Sequence, residues 1–288
     1  MRNWVRVMGI TLIKSESNMP ELPEVETSRR GISPHITNQK ITDIKRRHHQ
    51  LRWPIPENLL QLLQNKKLIR IDRRAKYLLL RFENGTLLIH LGMSGSVRIC
   101  ELNTAAQKHD HVDFLFDHCL LRYTDPRRFG AILWLGTSPE DSPLLSILGP
   151  EPLSEEFTAE MLYEQAQKRK VPVKQLIMDQ KVVTGVGNIY ATEALFNAKV
   201  SPIRAANKIS LKRYGLLVEA IKLILTEAIK QGGTTLKDFV GGDGKPGYFQ
   251  QTLHIYGKTG ELCPNCEKPL TSIKLAARNS VYCSNCQH

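Results

Sequence analysis

Cysteine is scarce in this chain, six in 288 residues, too few to staple a secreted domain of this size. Long apolar runs are missing as well, and nothing approaches the ~20 consecutive apolar residues of a membrane-spanning helix. Acidic residues are in deficit: 28 Asp and Glu face 40 Lys and Arg, a formal charge of +12. That excess favours polyanionic partners, nucleic acid first, because neutralising phosphates releases their counterions. With 41% hydrophobic and 24% charged side chains, the composition is that of a soluble globular protein and excludes disorder or a collagen-like repeat. The first 18 residues carry an apolar run interrupted by Arg6 and Gly9, with no small-residue cleavage site after it, so they do not read as a secretion signal. The expected location is the cytoplasm.

What is present falls into segments. From Pro23 to Ile32 acids (Glu24, Glu26) precede Arg29 and Arg30, and Gly31 follows. This order suits a helix dipole and a glycine stop, so a short helix is expected there. Tyr77–Phe82 and Thr86–His90 are β-favouring runs joined by Asn84-Gly85, a dipeptide that supplies the positive φ of a tight hairpin. Val112–Phe116 and Leu120–Tyr123 repeat the pattern. Residues 20–150 therefore read as a β-rich sandwich or barrel with one helix near its start. The turn-rich Leu148–Leu153 marks a boundary, after which Thr158–Lys170 and Leu211–Gln231 are amphipathic helices. On the second, the expected apolar stripe is Leu216, Leu217, Ala220, Ile221, Ile224, Leu225 and Ala228. Residues 241–247 hold four glycines in seven positions, the composition of a functional loop.

Two motifs bear on chemistry. Cys263-Pro-Asn-Cys266 and Cys283-Ser-Asn-Cys286 are two C-x2-C knuckles separated by residues 267–282, a spacing by which two turns deliver four thiolates to one zinc ion. Disulfides or a redox pair are the competing reading. A closed four-thiolate site makes the zinc structural. Cys100 and Cys119 read as small buried hydrophobes. The second motif is Met19-Pro20-Glu21-Leu-Pro23-Glu24-Val-Glu26. Removal of Met19 would expose Pro20 as an N-terminal secondary amine, whose pKa near 7.7–8.0 leaves a useful unprotonated fraction at neutral pH. Attack of such an amine on a sugar C1′ gives an iminium cation, an electron sink for later eliminations. Pro20 and Pro23 also read simply as helix starters.

Pro20–Ile32, Arg74-Ala-Lys76-Tyr, His90-Leu-Gly-Met93-Ser-Gly, Tyr123-Thr-Asp-Pro-Arg127-Arg-Phe129-Gly, Val186-Gly-Asn188-Ile-Tyr, Gly244–Phe249 and the cysteine module together resemble bacterial formamidopyrimidine-DNA glycosylases. The resemblance runs from Pro20 to the C-terminus. Endonuclease VIII proteins share the architecture but typically begin Pro-Glu-Gly-Pro, where this chain has Leu22.

The resemblance implies an α+β protein: an N-terminal β-sandwich with a helix (20–150), a helix-two-turns-helix DNA-binding domain (151–240), a lesion-recognition loop and linker (241–255), and a zinc-finger β-hairpin (256–288). One structural Zn2+ per chain and double-stranded DNA containing oxidised bases are the implied cofactor and partner. It implies that Pro20 attacks C1′ of an oxidised purine nucleotide while Glu21 manages proton transfer at the sugar, and that Lys76 and Arg278 donate protons in β- and δ-elimination. A glycosylase must extrude its target nucleotide, and Met93, Arg127 and Phe129 match the residues that fill the vacated stack. Met and Phe suit an apolar wedge, and Arg offers a fork of donors to an unpaired cytosine. On the residues alone, Met93 and Phe129 read equally as core and Arg127 as a partner of Asp125. His109, Arg127, Arg169 and Asn188 match phosphate contacts, Asn188 also as a helix cap. Loop 241–249 would cover the flipped base, with Gly242 where relatives often carry Ser.

The first 19 residues depart from this pattern, because an internal Pro20 is an amide without a free lone pair. Translation from Met19 is therefore expected, with residues 1–19 absent from the mature protein. If the leader stays, the alternative is a lesion-binding protein that does not cut; within the enzyme class the alternative is a preference for oxidised pyrimidines. No coiled-coil seam is present, so a monomer is expected.

Overall fold

The computed structural model describes residues 20–233 and 252–288. The first helix, α1 (Leu22–Ile36), opens with Glu21 as its N-cap, whose backbone N–H donates to the Glu24 carboxylate at 2.9 Å. It does not stop at Gly31 as the sequence suggests. Val25, Ile32 and Ile36 are buried in the main core, and that burial outweighs the roughly 1 kcal/mol that a mid-helix glycine costs. Two four-stranded antiparallel sheets follow. Strands β1 (Asp43–Arg46), β5 (Ser96–Cys100), β6 (Asp110–Leu115) and β7 (Leu120–Thr124) form one, in the order β1-β6-β7-β5. Short helix α2 (Leu59–Leu63) precedes β2 (Leu68–Arg74), β3 (Tyr77–Phe82), β4 (Gly85–His90) and β8 (Ala131–Gly136), which form the other in chain order. Leu78, Leu80, Leu87 and Ile89 of the second sheet share a core with Val97, Val112, Phe114 and Leu121 of the first, so the two are the layers of a sandwich. Both hairpins expected from the alternating runs are present, with β3 and β4 in register from Tyr77↔His90 to Phe82↔Gly85.

After the four-residue α3 (Pro143–Ser146) the chain turns helical: α4 (Ala159–Gln167), α5 (Val173–Met178), α6 (Asn188–Asn197) and α7 (Leu211–Lys230). Thr158 and Ser210 cap α4 and α7 through their hydroxyls. On α7 the stripe from Leu217 to Ala228 is buried as its 3.6-residue period requires. Leu216 departs from it, 49% exposed, because it lies one residue off the packed face. The C-terminal module is a hairpin, β9 (Thr271–Leu275) and β10 (Arg278–Tyr282), flanked by the two cysteine knuckles. Among the described residues no helix is long and apolar enough to cross a membrane.

Candidate active site

Pro20 and Glu21 are both buried at the start of α1. The Glu21 side chain reaches 166 residues along the chain: one oxygen accepts from Gly187 N–H at 2.8 Å and the other from Ile189 N–H at 3.0 Å. Those donors are at the N-terminus of α6, where the helix leaves its first amides without internal acceptors. Gly187 is the N-cap and Asn188 the first helical residue, which corrects the expectation that Asn188 caps the helix; the capping carboxylate comes from Glu21. Glycine is required at 187, because a Cβ there would lie 2.1 Å from the Glu21 carboxyl carbon. Burial is the largest influence on Glu21 and raises its pKa to about 7, against the lowering effect of Lys76 and the two amides. A second buried carboxylate, Glu24, accepts from Tyr190 Oη at 2.6 Å, tying α1 to α6 beside it.

Glu21 faces a cavity of about 560 Å³ that both halves of the molecule line: Lys76, His90 and Met93 from the sandwich, Asn188 from α6, and Arg278 from the zinc hairpin. Lys76 sits in the two-residue turn between β2 and β3, where Ala75 takes a positive φ of 52°. Burial pulls its pKa below the ordinary lysine value, with Arg278 acting in the same sense and Glu21 and Glu24 against it. His90 accepts from Gly92 N–H through Nδ1, so Nε2 carries the proton of the neutral ring; burial, then Lys76 and Arg52, push its pKa down to about 4. Of the four candidates, Glu21, Lys76 and Arg278 come from three segments of the chain and line one cavity; Pro20 is buried next to Glu21 and is not among the lining residues.

A second group is built around Asp125, beside the loop that carries Met93. Asp125, fully buried, accepts from Ser94 Oγ at 2.7 Å, Gly130 N at 2.9 Å and Arg127 N at 3.2 Å. This braces the turn 125–130 against the loop bearing Met93. Contact there is close: at Gly92, with φ +64°, a Cβ would lie 2.4 Å from Gly130 N. Phe129 is 47% exposed at the turn's tip and the Arg127 guanidinium lies over its ring at 5.1 Å. Phe129 is therefore not a core residue, and Asp125 holds the Arg127 backbone. His109 is half-buried in the turn just before β6. Arg169 pairs with Asp179 at 2.7 Å, and Asn188 Nδ2 donates to the Asn279 carbonyl at 3.2 Å. Residues 241–249, including Gly242, lie outside the described residues.

The four cysteine sulfurs lie within 4.8 Å of one another, with Cys266–Cys283 at 3.5 Å and Cys263–Cys286 at 3.9 Å. A tetrahedral zinc with Zn–S near 2.3 Å requires sulfur edges of about 3.8 Å, so Cys263, Cys266, Cys283 and Cys286 fit one structural zinc ion, which cross-links the knuckles around the hairpin. Cys119 is buried and Cys100 half-buried.

Sequence reasoning missed several contributors. His90 stood inside a motif already singled out, yet nothing in its spacing signalled that it would line the cavity. Arg52 and Gln180, which also line it, lie in stretches with no pattern of their own. Tyr190 stands in the Val186–Tyr190 motif, with nothing in its spacing to signal the bond to Glu24.

A β-sandwich joined to a helical half and a four-thiolate finger, with a buried carboxyl beside a proline at their junction, defines the architectural class of helix-two-turns-helix DNA glycosylases. Comparison with known proteins agrees over the whole described chain. Three family models match: the formamidopyrimidine-DNA glycosylase N-terminal domain over residues 19–132, the formamidopyrimidine-DNA glycosylase H2TH domain over 148–240, and the zinc finger found in FPG and IleRS over 260–288. Formamidopyrimidine-DNA glycosylase of Psychromonas ingrahamii is 71% identical over 269 residues, 93% of this chain and all of the relative; that of Hahella chejuensis is 54% identical over 270 residues with the same coverage. Among solved structures, a variant of Lactococcus lactis FPG with Fapy-dG-containing DNA gives a TM-score of 0.87 at 35% identity, covering 93% of this chain and 99% of that one. Lactococcus lactis Fpg with abasic-site DNA gives 0.86 at 35% identity, covering 93% and 100%. The chain belongs to the formamidopyrimidine-DNA glycosylase family.

Proposed function

We propose that this protein is a base-excision-repair enzyme that removes oxidised purines, 8-oxoguanine and formamidopyrimidines, from duplex DNA and then cuts the abasic strand as a lyase. The observation that carries this reading is the convergence of a proton-holding Glu21, the residue next to Pro20, with Lys76 and Arg278 in one cavity between the two halves. The relatives solved with Fapy-dG-containing and abasic-site DNA support the substrate class. Translation from Met19 and loss of that Met free the Pro20 nitrogen. Its lone pair forms a bond to C1′ as the glycosidic bond breaks and its electrons leave with the base. Glu21, protonated near neutral pH, supplies the proton that opens the sugar, and the iminium accepts the electrons when C2′ loses a proton and the 3′ phosphate departs. Lys76 and Arg278 serve the β- and δ-eliminations. Met93, Arg127 and Phe129 fill the gap left by the extruded nucleotide, and His109, Arg127, Arg169 and Asn188 hold phosphates. Loop 241–249 covers the base. The protein works as a monomer in the bacterial cytoplasm, on the nucleoid.

The test is borohydride reduction in the presence of a duplex bearing 8-oxoguanine opposite cytosine, using protein expressed from its own start, with the adduct mapped by mass. A reduced adduct on an N-terminal Pro20, abolished in Pro20→Gly while DNA binding persists, is the expected result. Retention of Met1 with no adduct and intact lesion binding would replace this reading with that of a non-cutting lesion binder.

A further inference from the structure

Lys76 enters the cavity from a two-residue turn, and among the described residues no hydrogen bond holds its side chain; the charges that bear on it act at a distance. Its place is therefore set by the turn. The donors that lead into that turn converge on one carboxylate far away in sequence: Arg73 Nη1 reaches Glu151 Oε2 at 2.6 Å, and Arg74 Nη1 and Ala75 N reach Glu151 Oε1 at 2.9 and 2.7 Å. Arg74 Nη2 continues to the carbonyls of Leu148 and Gly149 at 3.0 and 2.6 Å. The Thr184 hydroxyl lies within hydrogen-bond reach of both Glu151 Oε1 at 3.3 Å and the Pro150 carbonyl at 3.2 Å, its one proton shared between them. Thr184 immediately precedes the Gly185–Gly187 turn, whose last amide holds Glu21. Glu151 itself does not line the cavity.

We infer that Glu151 is a positioning residue for the lyase chemistry, the carboxylate that fixes the Lys76 turn of the sandwich against the turn of the helical half that holds Glu21. This rests on the reading of the cavity given above. Charge-assisted and bidentate bonds are the strong ones, and here they bridge the two halves at the point where a small displacement separates Lys76 from Glu21. Misplacement of a catalytic group by about 1 Å costs on the order of 100-fold in rate. Arg73 also reaches Glu26 on α1 at 3.2 Å, so the same brace ties in the helix that begins at Glu21.

The experiment compares protein beginning at Pro20 in four forms: wild type, Glu151→Gln, Lys76→Met and the double variant. Single-turnover cleavage of an 8-oxoguanine duplex is read beside affinity for a duplex with a tetrahydrofuran abasic analogue and the urea unfolding midpoint. Glu151→Gln is expected to slow cleavage roughly 10–100-fold under conditions where it remains folded, with affinity for the analogue unchanged. In the Lys76→Met background the same change should add little, because residues acting through one another are not additive. Cleavage at the wild-type rate in Glu151→Gln, or losses that multiply in the double variant, overturns the inference. If Glu151→Gln does not fold, Glu151→Asp, which keeps the charge but withdraws it by one methylene, carries the test with the same expected slowing and the same refuting outcome. A wild-type protein that neither cleaves nor traps refutes the proposed function; a wild type that cleaves beside an unaffected variant refutes the positioning role alone.

Discussion

Glu21 keeps its proton to near neutral pH because burial penalises its anion more than two helix amides and Lys76 reward it. A general acid loses activity as pH rises through its pKa, whereas an amine nucleophile gains it as pH approaches about 8. The single-turnover rate should therefore follow a bell whose descending limb lies near pH 7, and Glu21→Gln should lower the rate and remove that limb; a descending limb retained in Glu21→Gln would assign it to another group. Glu26, five residues on, is shifted the other way. Arg29 and Arg30 bond to it and Arg73 adds its charge, holding its pKa at about 2 against an ordinary 4.5 despite the opposing cost of burial. A depressed carboxyl stabilises the fold above the unfolded pKa, and that stability is lost as pH falls through the folded value. Glu26→Gln should lower unfolding stability by about 2–3 kcal/mol at pH 7, with the difference from wild type shrinking between pH 4.5 and 2. A deficit constant over that range, measured by urea unfolding, would refute the charge argument. The place of Glu21 at the start of α1 and the four-cysteine cluster were legible because their spacing is local. The partners that set Glu21 apart, Gly187 and Ile189, were not, since no local pattern announces a bond across 166 residues.

Elements show where local rules hold and where packing overrides them. The β3–β4 hairpin was legible from Asn84-Gly85 alone, because the turn's backbone demand is met by the residues in the turn. The local pattern stops helix α1 at Gly31, a good stop, yet the helix runs to Ile36, with Pro34 in its last turn; the apolar residues beyond Gly31 face a core whose other walls lie elsewhere in sequence. The zinc hairpin carries a turn no local rule would choose. Ala276 and Ala277 link β9 to β10 with φ of 47° and 62°, the left-handed conformation that costs a residue with a Cβ about 1 kcal/mol or more. Ala276 is exposed, and Ala276→Asn, which tolerates that conformation better, should stabilise the module by a few tenths to about 1 kcal/mol. A lowered midpoint of thermal unfolding would show that the turn is held by its surroundings, with Arg278 next in the chain, and not strained.

At the scale of the whole molecule, the zinc module is fastened to α6, the helix that also holds Glu21. Glu193, fully buried, accepts from the backbone amides of His254, Ile255 and Tyr256 at 2.7–2.9 Å. Lys174 of α5, also buried, bridges Thr192 of α6 and Ser280 of β10, each at 2.8 Å. Near the first turn Asn188 reaches the Asn279 carbonyl. One helix therefore carries Glu21's amides at its start and the hairpin's anchors along its length, so the position of Arg278 relative to Glu21 depends on the hairpin being folded. The hairpin's own apolar core is small: Phe196, Ile255, Leu270 and Val281 with two of the cysteines. So little buried surface does not offset the entropy of ordering such a segment, and the metal supplies the difference, as in small zinc domains whose folding energy is their metal-binding energy. Chelating zinc should accordingly unfold the hairpin while leaving the sandwich intact, displacing Arg278 and exposing Lys174, and should weaken binding to abasic-analogue DNA with a smaller dependence on salt, since fewer phosphates are neutralised. Affinity and salt slope that stay the same after the zinc is verified lost would mean that α5 and α6 hold the hairpin without its metal, and that Arg278 owes its place to Lys174 and Glu193 alone.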